Sequence, residues 1–129
     1  MAYSFTFDVI PLGGGSVKVV LDEIDAGATS EAEITGMPPV GTVVRQTSTL
    51  SSGSAATLDP ILGDATDPAG QGAAGVICEN ATPAATCDNE GSAAYAVAPA
   101  ASATLYHRSQ PNTGTNNVIR TTYLVRAGL

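Results

Sequence analysis

Residues 117–125 read Asn-Val-Ile-Arg-Thr-Thr-Tyr-Leu-Val, and their period decides the fold class. Along an extended chain, successive side chains take opposite faces. Ile119, Thr121, Tyr123 and Val125 therefore alternate against Val118, Arg120, Thr122 and Leu124. Bulk on both faces predicts a strand in the middle of a sheet. The run at Ala103–Arg108 has the same period. Between the two lies Gln110-Pro111-Asn112-Thr113-Gly114-Thr115-Asn116, rich in residues that tolerate positive φ. The pair reads as an antiparallel hairpin with a long loop.

Working back toward the N-terminus, the alternation persists. Tyr3, Phe5, Phe7 and Val9 share one side and Ser4, Thr6 and Asp8 the other, the pattern of a half-buried strand. Residues 11–15, Pro-Leu-Gly-Gly-Gly, predict a break, because Pro lacks a ladder donor and three glycines resist regular structure. Val17, Val19 and Leu21 then oppose Lys18 and Asp22, and Ala32 and Ile34 oppose Glu31, Glu33 and Thr35. Asp25-Ala26-Gly27 and Gly36-Met37-Pro38-Pro39 punctuate these runs, and residues 41–50 form another β-branched stretch. No helical period is sustained. Residues 51–102 hold most of the alanines together with Pro60, Pro68, Pro83 and Pro99. Short strands joined by long excursions are expected there, at Ala56-Thr57-Leu58, Gly75-Val76-Ile77-Cys78 and Tyr95-Ala96-Val97. The expected architecture is all-β, a single domain over residues 1–129. It is an antiparallel β-sandwich or jelly-roll-like barrel with long Ala/Gly-rich loops.

Composition limits what such a domain can bury. Of the 129 residues, 21 are Ala, while Val, Ile, Leu, Phe and Met together number 29. The core must be thin, or another chain must complete it. Twelve acids against five bases give a net charge of −7, with Lys18 the single lysine. Scattered Arg45, Arg108, Arg120 and Arg126 do not make the cationic cluster that nucleic acid or an anionic membrane requires. No window approaches the uninterrupted apolar length of a membrane span, and residues 1–7 lack the features of a secretory signal. Synthesis in a cytosol is the expectation.

Chemistry-bearing residues are sparse. His107 is the only histidine and shares a strand face with Leu105, which predicts a packed or interfacial side chain. A nucleophilic triad would need a Ser or Cys and an orienting acid around it, and no Gly-x-Ser-x-Gly elbow nominates one. Gly13-Gly14-Gly15-Ser16-Val17-Lys18 lacks phosphate-loop spacing and precedes a strand. Asp22, Glu23 and Asp25, and likewise Asp59, Asp64 and Asp67, read as solvated acids at turns, without the residue order of a calcium loop. Trp is absent, which counts against sugar binding or cleavage. No cofactor and no metal are expected.

Cys78 and Cys87 enclose eight residues, a spacing unlike a redox or zinc half-site. They are either two buried free thiols or a disulfide pinning a short loop. Asn80-Ala81-Thr82 matches the glycosylation triplet by chance. Near the C-terminus, Arg120, Tyr123 and Arg126 are candidate interface residues, the arginines as partners for acids across a contact, or else as ordinary surface charge.

In layout the chain resembles small structural proteins of tailed bacteriophage virions. The shared elements are Met1-Ala2-Tyr3-Ser4-Phe5, the acidic Asp22-Glu23-Ile24-Asp25 and Gly36-Met37-Pro38-Pro39-Val40-Gly41. They continue through Ser52-Gly53-Ser54-Ala55-Ala56-Thr57-Leu58-Asp59-Pro60-Ile61-Leu62-Gly63 and close with Thr104-Leu105-Tyr106 and Asn116-Asn117-Val118-Ile119-Arg120. The cysteine-bearing middle is outside the pattern. The resemblance implies a non-enzymatic virion β-sandwich, a capsid decoration (cement) protein binding the major capsid protein shell as a trimer. A tail, neck or fibre-base component is the alternative within that class, and an extracellular carbohydrate-binding or adhesive module lies outside it.

Overall fold

Two antiparallel sheets packed face to face follow from these alternations in a computed structural model, which describes residues 2–63, 76–79, 84–89, 93–96, 103–113 and 116–128. Strands β1 (Ser4–Gly13) and β2 (Ser16–Ile24) form a hairpin. Gly14 and Gly15 turn it with φ of 63° and 84°, a region costly for residues with a Cβ. The chain then runs through β3 (Ala32–Met37), β4 (Val40–Ser52), β5 (Ile61–Gly63), β6 (Val76–Glu79), β7 (Thr86–Asn89), β8 (Ala93–Ala96), β9 (Ala103–Arg108) and β10 (Val118–Ala127). One sheet has the order β1-β2-β10-β4, with β7 and β8 pairing different stretches of β4. The other has the order β3-β9-β5-β6.

Setting β1 and β8 aside leaves β2-β10-β4-β7 facing β3-β9-β5-β6. Successive strands cross from one sheet to the other except at β5-β6, which is the path of a jelly roll. The β-sandwich expectation holds, in its jelly-roll form. So does the central position of the last strand, since β10 lies between β2 and β4. Among the described residues there is no helix.

Two local expectations are corrected. Residues 103–108 and 117–125 do not form a hairpin: β9 pairs with β3 and β5 in one sheet, and β10 pairs with β2 and β4 in the other. The two strands lie in opposite sheets, so proximity in sequence is a poor guide to their pairing. The break at residues 11–15 also narrows to a tight turn, because β1 continues through Pro11, which pairs with Val17. Pro is tolerated there because β1 is an edge strand. Of the expected short strands, Val76-Ile77-Cys78 lies in β6 and Tyr95-Ala96 in β8, whereas Ala56-Thr57-Leu58 contributes only an isolated bridge from Leu58 to Ala84, and β5 and β7 arise outside the expected runs. Asn80-Ala81-Thr82 and much of the Ala/Gly-rich region lie outside the described residues.

The main core gathers Val17, Val19, Leu21, Ile34, Met37, Val43, Leu62, Leu105, Tyr123 and Val125 from both sheets. A smaller cluster at one end holds Ala26, Leu58, Cys87 and Ile119. Each fully buried aliphatic side chain contributes roughly 1.5–3 kcal/mol. Tyr95 enters the core over Gly41, where an added Cβ would stand 2.8 Å from its hydroxyl oxygen and 2.9 Å from its ring. Its hydroxyl donates to Pro38 O at 2.7 Å. Asn117 ties three loops: its amide nitrogen donates to Ala26 O and Thr113 O, and its amide oxygen accepts from Ala55 N.

Candidate functional site

The alternation of β2 continues one step further than the solvated-acid reading allows. Glu23 has the parity of Val17, Val19 and Leu21, so its carboxylate points into the sandwich and is fully buried. Likewise Ser109 follows Leu105 and His107 by twos and faces inward. The result is a polar cluster that joins the two sheets, at 0–1% exposure apart from the half-buried Tyr3 at its margin. His107 Nε2 lies 2.7 Å from Ser109 Oγ and 3.2 Å from Glu23 Oε1, while Nδ1 lies 2.6 Å from the Tyr123 hydroxyl. The Ser109 hydroxyl donates to Glu23 Oε1, and the Tyr3 hydroxyl donates to Oε2 at 2.8 Å. Gln46 Nε2 donates to the Tyr123 oxygen at 2.9 Å, and Ser48 and Thr121 share a hydroxyl contact of 2.8 Å alongside.

Burial alone would raise the Glu23 carboxyl. Attraction toward His107, with hydrogen bonds from His107, Ser109 and Tyr3, outweighs it and holds the group below the usual carboxylate range. The same burial, reinforced by the Glu23 charge, pushes the Tyr3 phenol up. Tyr123 is raised too, by complete burial first.

A serine, a histidine and a carboxylate thus meet, as sequence reading did not foresee. Their order differs from that of a nucleophilic triad, in which serine and carboxylate bond opposite imidazole nitrogens. Here Ser109 and Glu23 share the Nε2 side, and the far nitrogen belongs to Tyr123. Tyr3, half-buried, is the cluster's outer member, while Ser109, His107 and Glu23 are buried, so no substrate atom can approach Ser109 Oγ in this conformation. What the arrangement does is fix β9 against β2 and β10 with directed bonds, with β4 tied in through β10.

The residues nominated from sequence are scattered. Tyr123 is corrected from interface candidate to core residue, with 0% exposure within its own chain. Arg120 is exposed and makes two bonds to Asp22, at 2.7 and 3.0 Å, which lowers the Asp22 carboxyl. Arg126 is exposed at the end of β10. Cys78 on β6 and Cys87 on β7 belong to opposite sheets and are both free and buried, so the disulfide alternative is set aside for the free-thiol one. Burial pushes the Cys78 thiol up to about 12, and the Cys87 thiol is raised as well. Of the acidic triplet, Asp22 pairs outward, Glu23 turns inward and Asp25 accepts from Asn116 N. Asp64 and Asp67 lie outside the described residues, among which no group of three metal-ligating side chains occurs.

Among the described residues, open depressions lie on the outer face of the larger sheet. Register places Ile10, Lys18, Leu124 and Arg45 in one row across β1, β2, β10 and β4. Thr6, Asp22, Arg120 and Thr49 form a second row. A shallow depression of about 260 Å³ is lined by Lys18, Arg45, Thr47, Thr122 and Leu124. A second, of about 170 Å³, shares Leu124 and adds Leu12, Ser16, Val44, Val125 and Arg126. Ile10 and Leu12 are exposed beside them. Four of the chain's five basic residues therefore sit on or beside this face: Lys18, Arg45, Arg120 and Arg126. Arg45 and Arg120 are held by Asp88 and Asp22, while Lys18 and Arg126 form no ion pair among the described residues.

No protein-family model matches the chain, and no curated protein matches it.

Proposed function

We propose that the protein is a non-enzymatic structural subunit of a virion, a capsid decoration (cement) protein that binds and stabilises the shell of major capsid protein as a trimer. One observation carries this reading. The convergent polar groups are sealed inside the sandwich, while the accessible chemistry is a broad sheet face bearing aliphatic side chains and four of the five cations. Such a face suits contact with another protein surface, where an apolar centre supplies affinity and flanking charges set orientation. A jelly roll is also a fold used in viral shells, an analogy at the level of fold. The layout resemblance supplies the virion context, and the tail, neck or fibre-base role is the second reading within it.

The mechanism is additive contact. Each copy bridges shell subunits, and repetition over many equivalent sites turns modest contacts into avidity. The test is to add purified protein to phage shells stripped of decoration and to measure copies bound and the shell's disassembly temperature. Saturable binding with a raised disassembly temperature is expected. Absence of binding to shells, with stoichiometric incorporation into tails, would transfer the role to the second reading.

A further inference from the structure

Eight strands complete the jelly roll, and β1 is additional to them. It extends the larger sheet beyond β2, while the opposite sheet ends at β3. Its inward side chains Phe5, Phe7 and Val9, with Tyr3 just before the strand, are consequently only half-buried. Tyr3, Phe5 and Phe7 are half of the chain's six aromatic residues, and their rings follow one another at 6.0 and 6.4 Å. Among the described residues no strand pairs with the outer edge of β1. Its only charge is Asp8, and Pro11 near its far end is its one edge-blocking residue. Natural edges are ordinarily protected by lysines, bulges or covering loops, and a long uncharged edge is a template for another strand.

We infer that the outer edge of β1 pairs antiparallel with β1 of a second copy about a two-fold axis, joining the two larger sheets into one. A second copy is the occupant that the charge pattern favours. In a chain of net charge −7 most surfaces repel one another, whereas this edge carries a single carboxylate. A strand meeting its own copy is also matched in length and self-complementary by symmetry.

One register satisfies the sequence best, with the axis at Thr6. It sets Phe5 against Phe7 of the second copy and Asp8 against Ser4, with residue 2 opposite Ile10 and Pro11 beyond the ladder. An axis at Asp8 would oppose two carboxylates, and an axis at Phe7 would draw Pro11 into the pairing. The paired length of about 30 Å, with sheets about 10 Å apart, offers a few hundred Å² per copy. That is less than the roughly 800 Å² per partner of a standard complex. Association is accordingly concentration-dependent, held by main-chain bonds and by closure of the aromatic strip. A two-fold contact is compatible with a trimer, since subunits at three-fold positions of a closed shell meet their neighbours across two-fold axes. The inference rests on the building-block reading and deepens it.

The experiment is sedimentation over a dilution series of wild type, Thr6→Lys, Thr6→Glu and an equimolar mixture of the two variants. Thr6 is exposed, so neither substitution disturbs the core, and circular dichroism checks the fold. Wild type is expected at an even multiple of the chain mass. Each variant alone should associate at half that mass, with at least a tenfold higher concentration for half-association, because like charges then face each other on the axis. The mixture should restore wild-type association. A wild-type trimer that Thr6→Lys leaves unchanged would overturn the inference while keeping the trimer. A dimer that Thr6→Lys splits would uphold it and remove the trimer. Monomeric wild type, or a mixture that fails to recover, would overturn it.

Discussion

Glu23 Oε1 and His107 Nε2 stand 3.2 Å apart with neither side chain exposed, and they belong to opposite sheets. The pair therefore acts as a staple through the middle of the sandwich. Removing the carboxylate leaves the buried hydroxyl of Ser109 and the Nε2 side of His107 short of an acceptor, which typically costs about 1–3 kcal/mol. Glu23→Gln should lower unfolding free energy by an amount of that order, measured by denaturant titration with an unchanged m-value.

The same carboxylate sets an acid limb. Its folded pKa lies below its unfolded one, so its contribution is fully present above the unfolded carboxylate pKa. It is lost as pH falls through the lower folded value. Thermal melts of wild type should drop steeply across that acidic window, and Glu23→Gln should show a shallower fall over it.

Tyr123→Phe tests the far side of the cluster. It keeps the ring in the core but removes the oxygen that meets both His107 Nδ1 and Gln46 Nε2. Leaving buried polar groups unsatisfied costs about 1–3 kcal/mol. By contrast Arg120→Ala breaks an exposed pair with Asp22 that solvent and salt screen, so it should cost little. A larger loss for Arg120→Ala than for Tyr123→Phe in calorimetry would contradict this ordering.

Gly41→Ala drives a methyl group into the Tyr95 phenol, whose nearest atoms would lie 2.8–2.9 Å away. Overpacking of this kind costs about 1–3 kcal/mol. The loss should be relieved in the double variant with Tyr95→Ala, so that the two changes are less than additive in a double-mutant cycle.

Both cysteines should resist thiol reagents in the folded protein. Their sulfurs are buried, and the raised pKa of each leaves little thiolate at neutral pH. Labelling with a chromogenic disulfide should be slow under native conditions and yield two thiols per chain after denaturation.

The fold was largely legible because period-2 patterning survives wherever one face is buried. Residues Ser16–Ile24 and Val118–Ala127 show it, and both are strands with alternating burial. What local pattern could not supply was partner choice. Ala103–Arg108 and the last strand look like a hairpin because they are sequence neighbours, yet crossing to the opposite sheet lets each find two partners. The polar cluster was written in the same parity. Beside Asp22 and Asp25, Glu23 reads as solvated, because carboxylates are rarely buried unpaired. Its compensation comes from Tyr3, His107 and Ser109, distant in sequence and brought together only by the fold.

The claim that function resides on the outer sheet face, with a sealed interior that serves only stability, is tested most directly by measuring binding to stripped shells for two variants. Leu124→Asp places a charge between the two depressions, and Ser109→Ala removes a hydroxyl from the interior. The account predicts that Leu124→Asp abolishes shell binding while remaining folded, and that folded Ser109→Ala binds like wild type with a lower melting temperature. Undiminished binding by Leu124→Asp, or loss of binding by folded Ser109→Ala, would contradict it.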